Sequence, residues 1–201
     1  MRNTRTREIA RLIQLLAASM GLALTAAGTA TAQQASASVP QVEVSGDYSY
    51  VRANGSSSAG AFNLNGGSGS LAYNVTEHFG LVADFGAYRF HGLPPGLDST
   101  MYTYLFGPRL TIRRFSRVAP FAQVLLGGGR LNANAVGVSA GENGFAMAVG
   151  GGLDVPFGRH LAIRALQTEY LLTRFDRSDG SSATQNNLRV SAGIVFHFGS
   201  R

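Results

Sequence analysis

Three neighbouring residues have the types that acid–base catalysis needs. His91 is followed by Asp98 and Ser99, and serine chemistry requires a histidine within hydrogen-bond reach of the serine and of an orienting acid. Proximity in one segment does not establish that geometry, and a histidine in a polar loop is the commoner case. We therefore predict no catalytic residues, with a hydrolase or acyltransferase at His91 as a minor alternative.

Other kinds of chemistry find little support in the sequence. The chain has no cysteine, which removes thiol nucleophiles, disulfides and cysteine metal sites, and no clustered ligands predict a metal site. The glycine-rich run Gly66–Gly69 lacks the strand-to-helix context and the following Lys-Ser/Thr of a phosphate loop. We predict no cofactor.

The excess of basic over acidic residues in the chain does not predict nucleic-acid binding. All 17 basic residues are arginines and the net charge is +6, but Arg2, Arg5, Arg7 and Arg11 precede an apolar stretch at the N-terminus. The basic run Arg113–Arg117 is interpreted as a solvated rim near anionic head groups.

The N-terminal segment has the order of a secretory signal peptide. Arginines are followed by an apolar stretch from about Ile9 to Leu24 and by the small-residue exit Thr29–Ala32. We predict a cleavable helical signal peptide over residues 1–32 and a flexible lead-in over residues 33–40. A membrane anchor is the less favoured alternative, because Gln14, Ser19 and Thr25 interrupt the apolar run.

The remaining sequence alternates between apolar and polar residues. From Asn187 to Phe198 every even position is apolar, while the odd positions are polar or small except at Val195. The segment Val42–Tyr50 alternates in the same way. This period of two predicts strands. Six further runs lie at about Phe62–Val75, Phe79–Phe90, Thr100–Ile112, Pro120–Leu131, Gly144–Val155 and Leu161–Phe175.

Eight strands of about 11 to 15 residues are long enough to cross a bilayer at a tilt of about 45°. Their predicted connections alternate in length, with tight turns after strands two, four and six. The long, polar connections are Ala53–Gly60, His91–Ser99, Asn132–Asn143 and Asp176–Thr184. Short periplasmic turns and long extracellular loops are typical of outer-membrane barrels.

The residues on the polar face favour a membrane barrel over a soluble sandwich or lipocalin-like barrel. That face carries mainly Gly, Ser, Asn and Gln, which suit the crowded interior of an eight-stranded barrel better than a water-facing surface. Glycine triplets at Gly127–Gly129 and Gly150–Gly152 fall inside predicted strands, where tight curvature or close packing would require them.

Four segments carry a resemblance to a known group of proteins. They are Val42–Tyr50, Leu105–Arg109, Pro120–Ala122 and Gly193–Phe198. In these the chain resembles the small eight-stranded outer-membrane β-barrels, similar to the OmpA-type transmembrane domain. The resemblance implies an all-β, eight-stranded, antiparallel up-and-down transmembrane barrel over residues 41–199. It also implies that Ile194, Phe196 and Phe198 form the signal read by the barrel-assembly machinery, although Gly199-Ser200-Arg201 follow a phenylalanine that is usually terminal or nearly so.

The alternation places several charged and polar residues inside this barrel. Burying charges is costly unless they pair, so we predict a network of arginines and carboxylates in the lumen. Arg164 and Glu169 have opposite parity, which predicts a bulge or a rim position in strand seven. The predicted members are Glu43, Asp47, Asp84, Arg109, Gln167, Glu169 and Arg189.

Together these features predict a non-enzymatic protein integral to the outer membrane of a Gram-negative-type cell, reached after Sec-type export. Its polar packed lumen and extracellular loops indicate a role in envelope integrity or surface interaction, with a narrow porin-like channel for ions or small solutes as the alternative. The expected partners are outer-membrane lipid and lipopolysaccharide, with the barrel-assembly machinery and periplasmic chaperones during biogenesis. We expect a monomer that binds no nucleic acid.

Overall fold

Alternating sequences of this kind form strands whose two faces meet different surroundings. A computed structural model describes residues 39–54, 61–90, 97–115, 117–135, 138–176 and 182–200. The predicted signal peptide, residues 33–38 of the predicted lead-in and the residue His91 lie outside these ranges, whereas Pro40 of the lead-in belongs to the first strand. Within them no helix has the length and hydropathy of a membrane span.

Eight antiparallel strands form one closed barrel in chain order, and β1 pairs with β8 to complete it. This confirms the predicted eight-stranded up-and-down architecture. Closure gives every strand two hydrogen-bonded neighbours, which a bilayer requires because hydrocarbon cannot satisfy backbone amides. The strands are β1 Pro40–Asn54, β2 Ala61–Asn74, β3 Phe79–Phe90, β4 Leu97–Thr111, β5 Ala119–Ala135, β6 Val138–Pro156, β7 Leu161–Asp176 and β8 Ser182–Ser200.

The two ends of the barrel differ. The turn end holds the start of β1, the finish of β8 and the β2–β3, β4–β5 and β6–β7 turns, which lie where the sequence predicts them. In the β2–β3 turn the amides of Val75 and Thr76 donate to the Phe79 carbonyl oxygen. In the β6–β7 turn Gly158 has a φ of 82°, which glycine adopts without strain. The opposite end is called the loop end below.

The predicted long connections at the loop end are wrong in extent. β5 continues to Ala135 and β6 begins at Val138, so most of the predicted Asn132–Asn143 loop is paired strand. β4 likewise begins at Leu97 and β8 at Ser182. Strand pairing uses backbone groups, so it continues beyond the apolar band where side chains become polar, and polarity alone does not mark a strand end.

Large apolar side chains project outward and remain exposed. On β8 they include Leu188, Ile194, Phe196 and Phe198, each about half exposed. The ten steps between Leu188 and Phe198 rise about 3.3 Å each, and at a tilt of about 45° they cover roughly 23 Å. This height agrees with the apolar band of about 25 Å on outer-membrane barrels.

A β-bulge resolves the parity conflict in β7. Arg164 pairs with Gly193 and Gln167 with Ser191, so two residues of β7 oppose one residue of β8. Arg164, Gln167 and Glu169 are therefore all buried inside the barrel. The bulge moves an arginine into the lumen that uniform alternation would have pointed at lipid.

Candidate functional site

The structure brings all seven sequence-predicted site residues into the barrel interior, on five different strands. None of them has more than 7% of its surface exposed. The structure adds charged residues that the prediction did not include, namely Asp154 on β6, Arg164 on β7 and Arg113 in the β4–β5 turn. We call the charged set the lumen network: Glu43, Asp47, Asp84, Asp154, Glu169, Arg109, Arg113, Arg164 and Arg189.

Arg189 is the most connected member of the lumen network. Its Nη1 donates to Asp84 Oδ1 and to the Tyr88 hydroxyl oxygen, both at 2.8 Å. Its Nε donates to Glu169 Oε2 at 2.6 Å, and its Nη2 also pairs with Glu169. One guanidinium therefore ties β8 to its neighbour β7 and across the lumen to β3.

Two glutamines extend this cluster toward the turn end. Gln123 Nε2 and Gln167 Nε2 donate to the two oxygens of Glu169 at 2.7 and 2.8 Å. Gln123 in turn accepts from Arg109 Nε at 2.8 Å. Each amide thus joins a carboxylate to a guanidinium, so separate ion pairs become one continuous hydrogen-bonded chain.

Arg164 organises a second cluster. Its Nε and Nη2 donate to the two oxygens of Asp154 at 2.9 and 3.1 Å, the bidentate geometry that the arginine fork favours. Its Nη1 reaches Ser45, Gln167 and Asp47 at 3.1, 3.1 and 3.4 Å. The bulge after Arg164 provides this placement, and the opposite parity of Arg164 and Glu169 was the sequence signal for it.

A third group closes the turn end of the lumen. Arg113 Nη2 lies 2.5 Å from Glu43 Oε1, and its Nε donates to the Glu77 carbonyl oxygen at 3.2 Å. Asn74 Nδ2 also donates to Glu43 at 2.8 Å. Because β1 and the β4–β5 turn lie on opposite sides of the barrel, Arg113 bridges its mouth. The expected solvated rim is therefore wrong for Arg113, whereas Arg114 is exposed.

Phe121 separates two like charges in this network. The guanidinium carbons of Arg109 and Arg164 lie 4.5 and 4.8 Å from the centre of its ring. The electron-rich ring faces attract each cation. A single aromatic side chain thereby lets two arginines share a narrow interior.

The lumen contains more carboxylates than guanidinium groups. The network holds five acids and four arginines. Within the described residues, its atoms Asp47 Oδ1, Arg109 Nη2 and Arg189 Nη2 are buried without a hydrogen-bond partner, although Arg189 Nη2 forms an ion pair with Glu169. The remaining charges are paired and hydrogen bonded, which is the condition under which burial is tolerated. The arrangement can cross-link strands and fill the barrel.

Toward the loop end the lumen is lined mainly by apolar side chains, with Asn187 and Thr173 buried among them, so the prediction of a polar lumen is wrong for much of that part. We define the apolar layer as Val51, Leu64, Met101, Leu131 and Leu171, all inward-facing and packed in one cluster. Leu171 follows Glu169 by one inward position on β7. The parity that Leu171 shares with Glu169 is the sequence signal for its inward position.

The histidines are not assembled with a nucleophile in the described part of the chain. His78 and His160 are exposed in turns at the turn end, and His160 Nδ1 lies 3.4 Å from the carbonyl oxygen of His197. Ser99 Oγ donates to the Asn132 carbonyl oxygen at 3.3 Å. No group of three or more His, Asp and Glu residues that could hold a metal ion occurs among the described residues.

Comparisons with known proteins agree with this architecture. The family model described as outer membrane protein beta-barrel domain matches residues 20–196. Neisserial surface protein A superposes with a TM-score of 0.65 at 16% identity, covering 79% of this chain and 97% of that one. Ail, the attachment invasion locus protein of Yersinia pestis, gives 0.53 at 18% identity, covering 78% and 99%. At this identity the two structures show a shared fold. No curated protein matches the sequence.

Proposed function

The chain belongs to the outer membrane protein β-barrel domain family and is an integral outer-membrane protein, and from this premise we propose that it is a sealed, non-enzymatic barrel. Its role is to contribute to envelope integrity and to present its loop end at the cell surface. The turn end faces the periplasm, as is typical of such barrels.

The observation that carries this proposal is the filling of the lumen at two successive levels. Toward the turn end, arginine–carboxylate pairs cross the interior between strands that are not neighbours, as between Arg189 and Asp84. Toward the loop end, the apolar layer is fully buried at Val51, Leu64 and Leu171. An ion would have to displace paired charges and then pass a tightly packed level lined mainly by aliphatic side chains.

A narrow channel is the second candidate, because the charged half of the lumen resembles a lined ion path. Conduction requires binding that is favourable enough to enter and weak enough to leave. The close pairing of Arg164 with Asp154 opposes this, since both groups already satisfy each other. The apolar layer opposes it further.

Planar-bilayer recording separates the two candidates. The barrel is purified from outer membranes and its folded state is checked by heat-modifiable gel migration, with a known porin as the positive control in the same bilayers. We expect no steady single-channel steps from the folded barrel. Reproducible single-channel steps whose frequency rises with protein concentration would show that the barrel is a channel and is not sealed.

The non-enzymatic part of the proposal has its own test. The hydrolase alternative depends on His91, which lies outside the described residues. We expect equal, background-level lipid hydrolysis by the purified barrel and by the His91→Ala variant. Hydrolysis by the unchanged barrel that disappears in the variant would establish an enzyme.

We also propose that β8 carries the assembly signal. Ile194, Phe196 and Phe198 share the outward face of β8 and are each about half exposed. β8 closes the barrel against β1, with Phe196 opposite Val44 and Phe198 opposite Val42. An exposed apolar row on the last strand is available to the barrel-assembly machinery before closure. The machinery, periplasmic chaperones and lipopolysaccharide are the partners of this proposal, and a monomer is its assembly state.

A further inference from the structure

The outer surface of the barrel carries an unusual distribution of charge near the loop end. Arg52 on β1, Arg89 on β3 and Arg130 on β5 face outward and are exposed. We call these three residues the arginine belt. Arg174 on β7 is also exposed toward this end, although the inference does not depend on it.

The belt lies just beyond the aromatic margin of the apolar band. Arg52 follows the outward Tyr50 by one outward position on β1, and Arg130 pairs with the outward Tyr102 of β4. Arginines at this level stand where hydrocarbon gives way to lipid head groups, since aromatic residues mark that interface.

The belt has a regular spacing around half of the barrel. Its members occupy alternate strands, and neighbouring strands lie about 4.8 Å apart, so successive belt arginines stand roughly 10 Å apart around the wall. Polar uncharged side chains fill the intervening strands at this level, with Asn63 and Asn65 on β2 and Thr100 on β4.

Among the described residues, no acidic side chain contacts the belt. Arg52 Nη1 donates to Asn63 Oδ1 at 3.2 Å and Arg130 Nε donates to Asn132 Oδ1 at 3.0 Å, and both acceptors are neutral amides. Within the described residues no hydrogen bond or ion pair holds the side chain of Arg89. The neutral contacts orient two guanidinium groups while their positive charge remains.

The acids whose side chains the structure describes are placed elsewhere. Five of them belong to the buried lumen network, Glu142 takes an inward position on β6, and Glu77 lies in a turn at the opposite end. Among the described side chains, therefore, carboxylates lie in the lumen or at the turn end, whereas the belt arginines lie on the outer face at the loop end.

We infer that the arginine belt binds the phosphate groups of the phosphorylated glycolipid in the outer leaflet. Guanidinium forks bind phosphate oxygens bidentately and stay charged at every physiological pH. The occupant is a lipid rather than a free anion because the same side chains adjoin the lipid-facing aromatic row, so one molecule can contact both. This inference rests on the proposed orientation, with the loop end outside, and it names the lipid partner of the proposed envelope role.

The test compares two triple variants that remove equal charge at opposite ends. The belt variant is Arg52→Gln, Arg89→Gln and Arg130→Gln. The control is Arg114→Gln, Arg117→Gln and Arg159→Gln, three exposed residues at the turn end. Each barrel is purified in mild detergent, stripped of lipid and titrated with lipid A that carries its phosphates, with enzymatically dephosphorylated lipid A, and with inorganic phosphate.

We expect the unchanged barrel and the turn-end control to bind phosphorylated lipid A with similar affinity. The belt variant should bind it at least about tenfold more weakly. Dephosphorylated lipid A should bind the unchanged barrel as weakly as phosphorylated lipid A binds the belt variant. This second comparison uses the unchanged protein and so does not depend on folding of a variant.

Three results would overturn the inference: equal binding by the belt variant, equal binding of dephosphorylated lipid, or competition by inorganic phosphate at the concentration of the lipid. The sealed barrel is tested separately, by conductance in bilayers without lipid A. If the lipid A titration overturned the binding site, the conductance result would still stand. If the barrel conducted ions, the difference in lipid A affinity could still be observed.

Discussion

Arg189 holds three strands of the barrel through one guanidinium group. It is fully buried and contacts Glu169, Asp84 and the Tyr88 hydroxyl. Removing one member of a buried ion pair leaves the partners charged and unsatisfied, which costs more than the pair itself contributes.

We therefore expect Arg189→Met to lower the free energy of unfolding by about 3–5 kcal/mol, measured by urea titration in lipid vesicles with gel migration as the readout. The outward Arg130→Met is the matched control and should change it by less than about 0.5 kcal/mol. Adding Glu169→Gln and Asp84→Asn to Arg189→Met should recover part of the loss. Equal stability of the Arg189 and Arg130 variants would show that the network does not stabilise the barrel.

Arg113 is the residue that spans the mouth at the turn end. Glu43 has two further partners, Asn74 at 2.8 Å and Arg109 at 3.8 Å, so we expect the loss of Arg113 to be partly compensated. We expect Arg113→Gln to destabilise the barrel by about 1–2 kcal/mol, while Arg114→Gln, the exposed neighbour, stays near zero in the same titration. A larger effect at Arg114 would contradict the bridging role of Arg113.

At the scale of elements, the glycines of β4, β5 and β6 permit close approach between neighbouring strands. A Cβ on Gly127 would overlap the carbonyl oxygen of Tyr104 on β4, whereas a Cβ on Gly46 would meet no atom within 4 Å. Tight curvature of an eight-stranded barrel thus uses glycine at chosen positions rather than uniformly.

This difference predicts that Gly127→Ala destabilises the barrel by about 1–3 kcal/mol through overpacking, and that Gly46→Ala has an effect below about 0.5 kcal/mol. Both substitutions add one methyl group to a strand, so their comparison by urea titration isolates the clash. Equal loss of stability in both variants would mean that backbone propensity, and not close contact between strands, determines the cost of replacing these glycines.

The outward row of β8 leads to a kinetic prediction. Replacing Phe196 and Phe198 by alanine should slow barrel assembly in vesicles that contain the assembly machinery, by several-fold or more. Because these side chains are exposed to lipid rather than packed inside, spontaneous folding in vesicles without the machinery should slow much less. Alanines at Phe79 and Phe85, outward on β3, provide the control. The same slowing for β3 and β8 variants would argue against a recognition signal.

The elements differ in how well their sequence predicts them. β8 was readable because its apolar and polar faces separate almost without exception from Leu188 to Phe198. The loop-end segments of β5 and β6 were not, because Asn, Ser and Gly beyond the apolar band pair through their backbones. Parity predicts which side of a wall a residue occupies, but not its partner across the lumen. Asp154 and Arg113 were therefore found only from the structure.

At the scale of the whole molecule, the barrel inverts the polarity of a water-soluble protein. Half-exposed Leu, Ile and Phe side chains cover the outside, while Arg164, Arg189 and Glu169 are among the most buried side chains. Lipid provides the apolar surroundings for the outer face, and ion pairing makes the charged interior tolerable.

The most direct test of the sealed, lipid-facing barrel uses the absence of cysteine in the chain. Single substitutions Ser191→Cys and Ala192→Cys place thiols at adjacent positions of β8, one inside with 2% exposure and one facing outward. Barrels in intact vesicles are treated with a charged, water-soluble thiol reagent and separately with a lipid-soluble maleimide. We expect the cysteine at 191 to react with neither and the cysteine at 192 to react only with the maleimide. Reaction of the first with the water-soluble reagent would show an open lumen, and reaction of the second with it would show that this face is not in lipid.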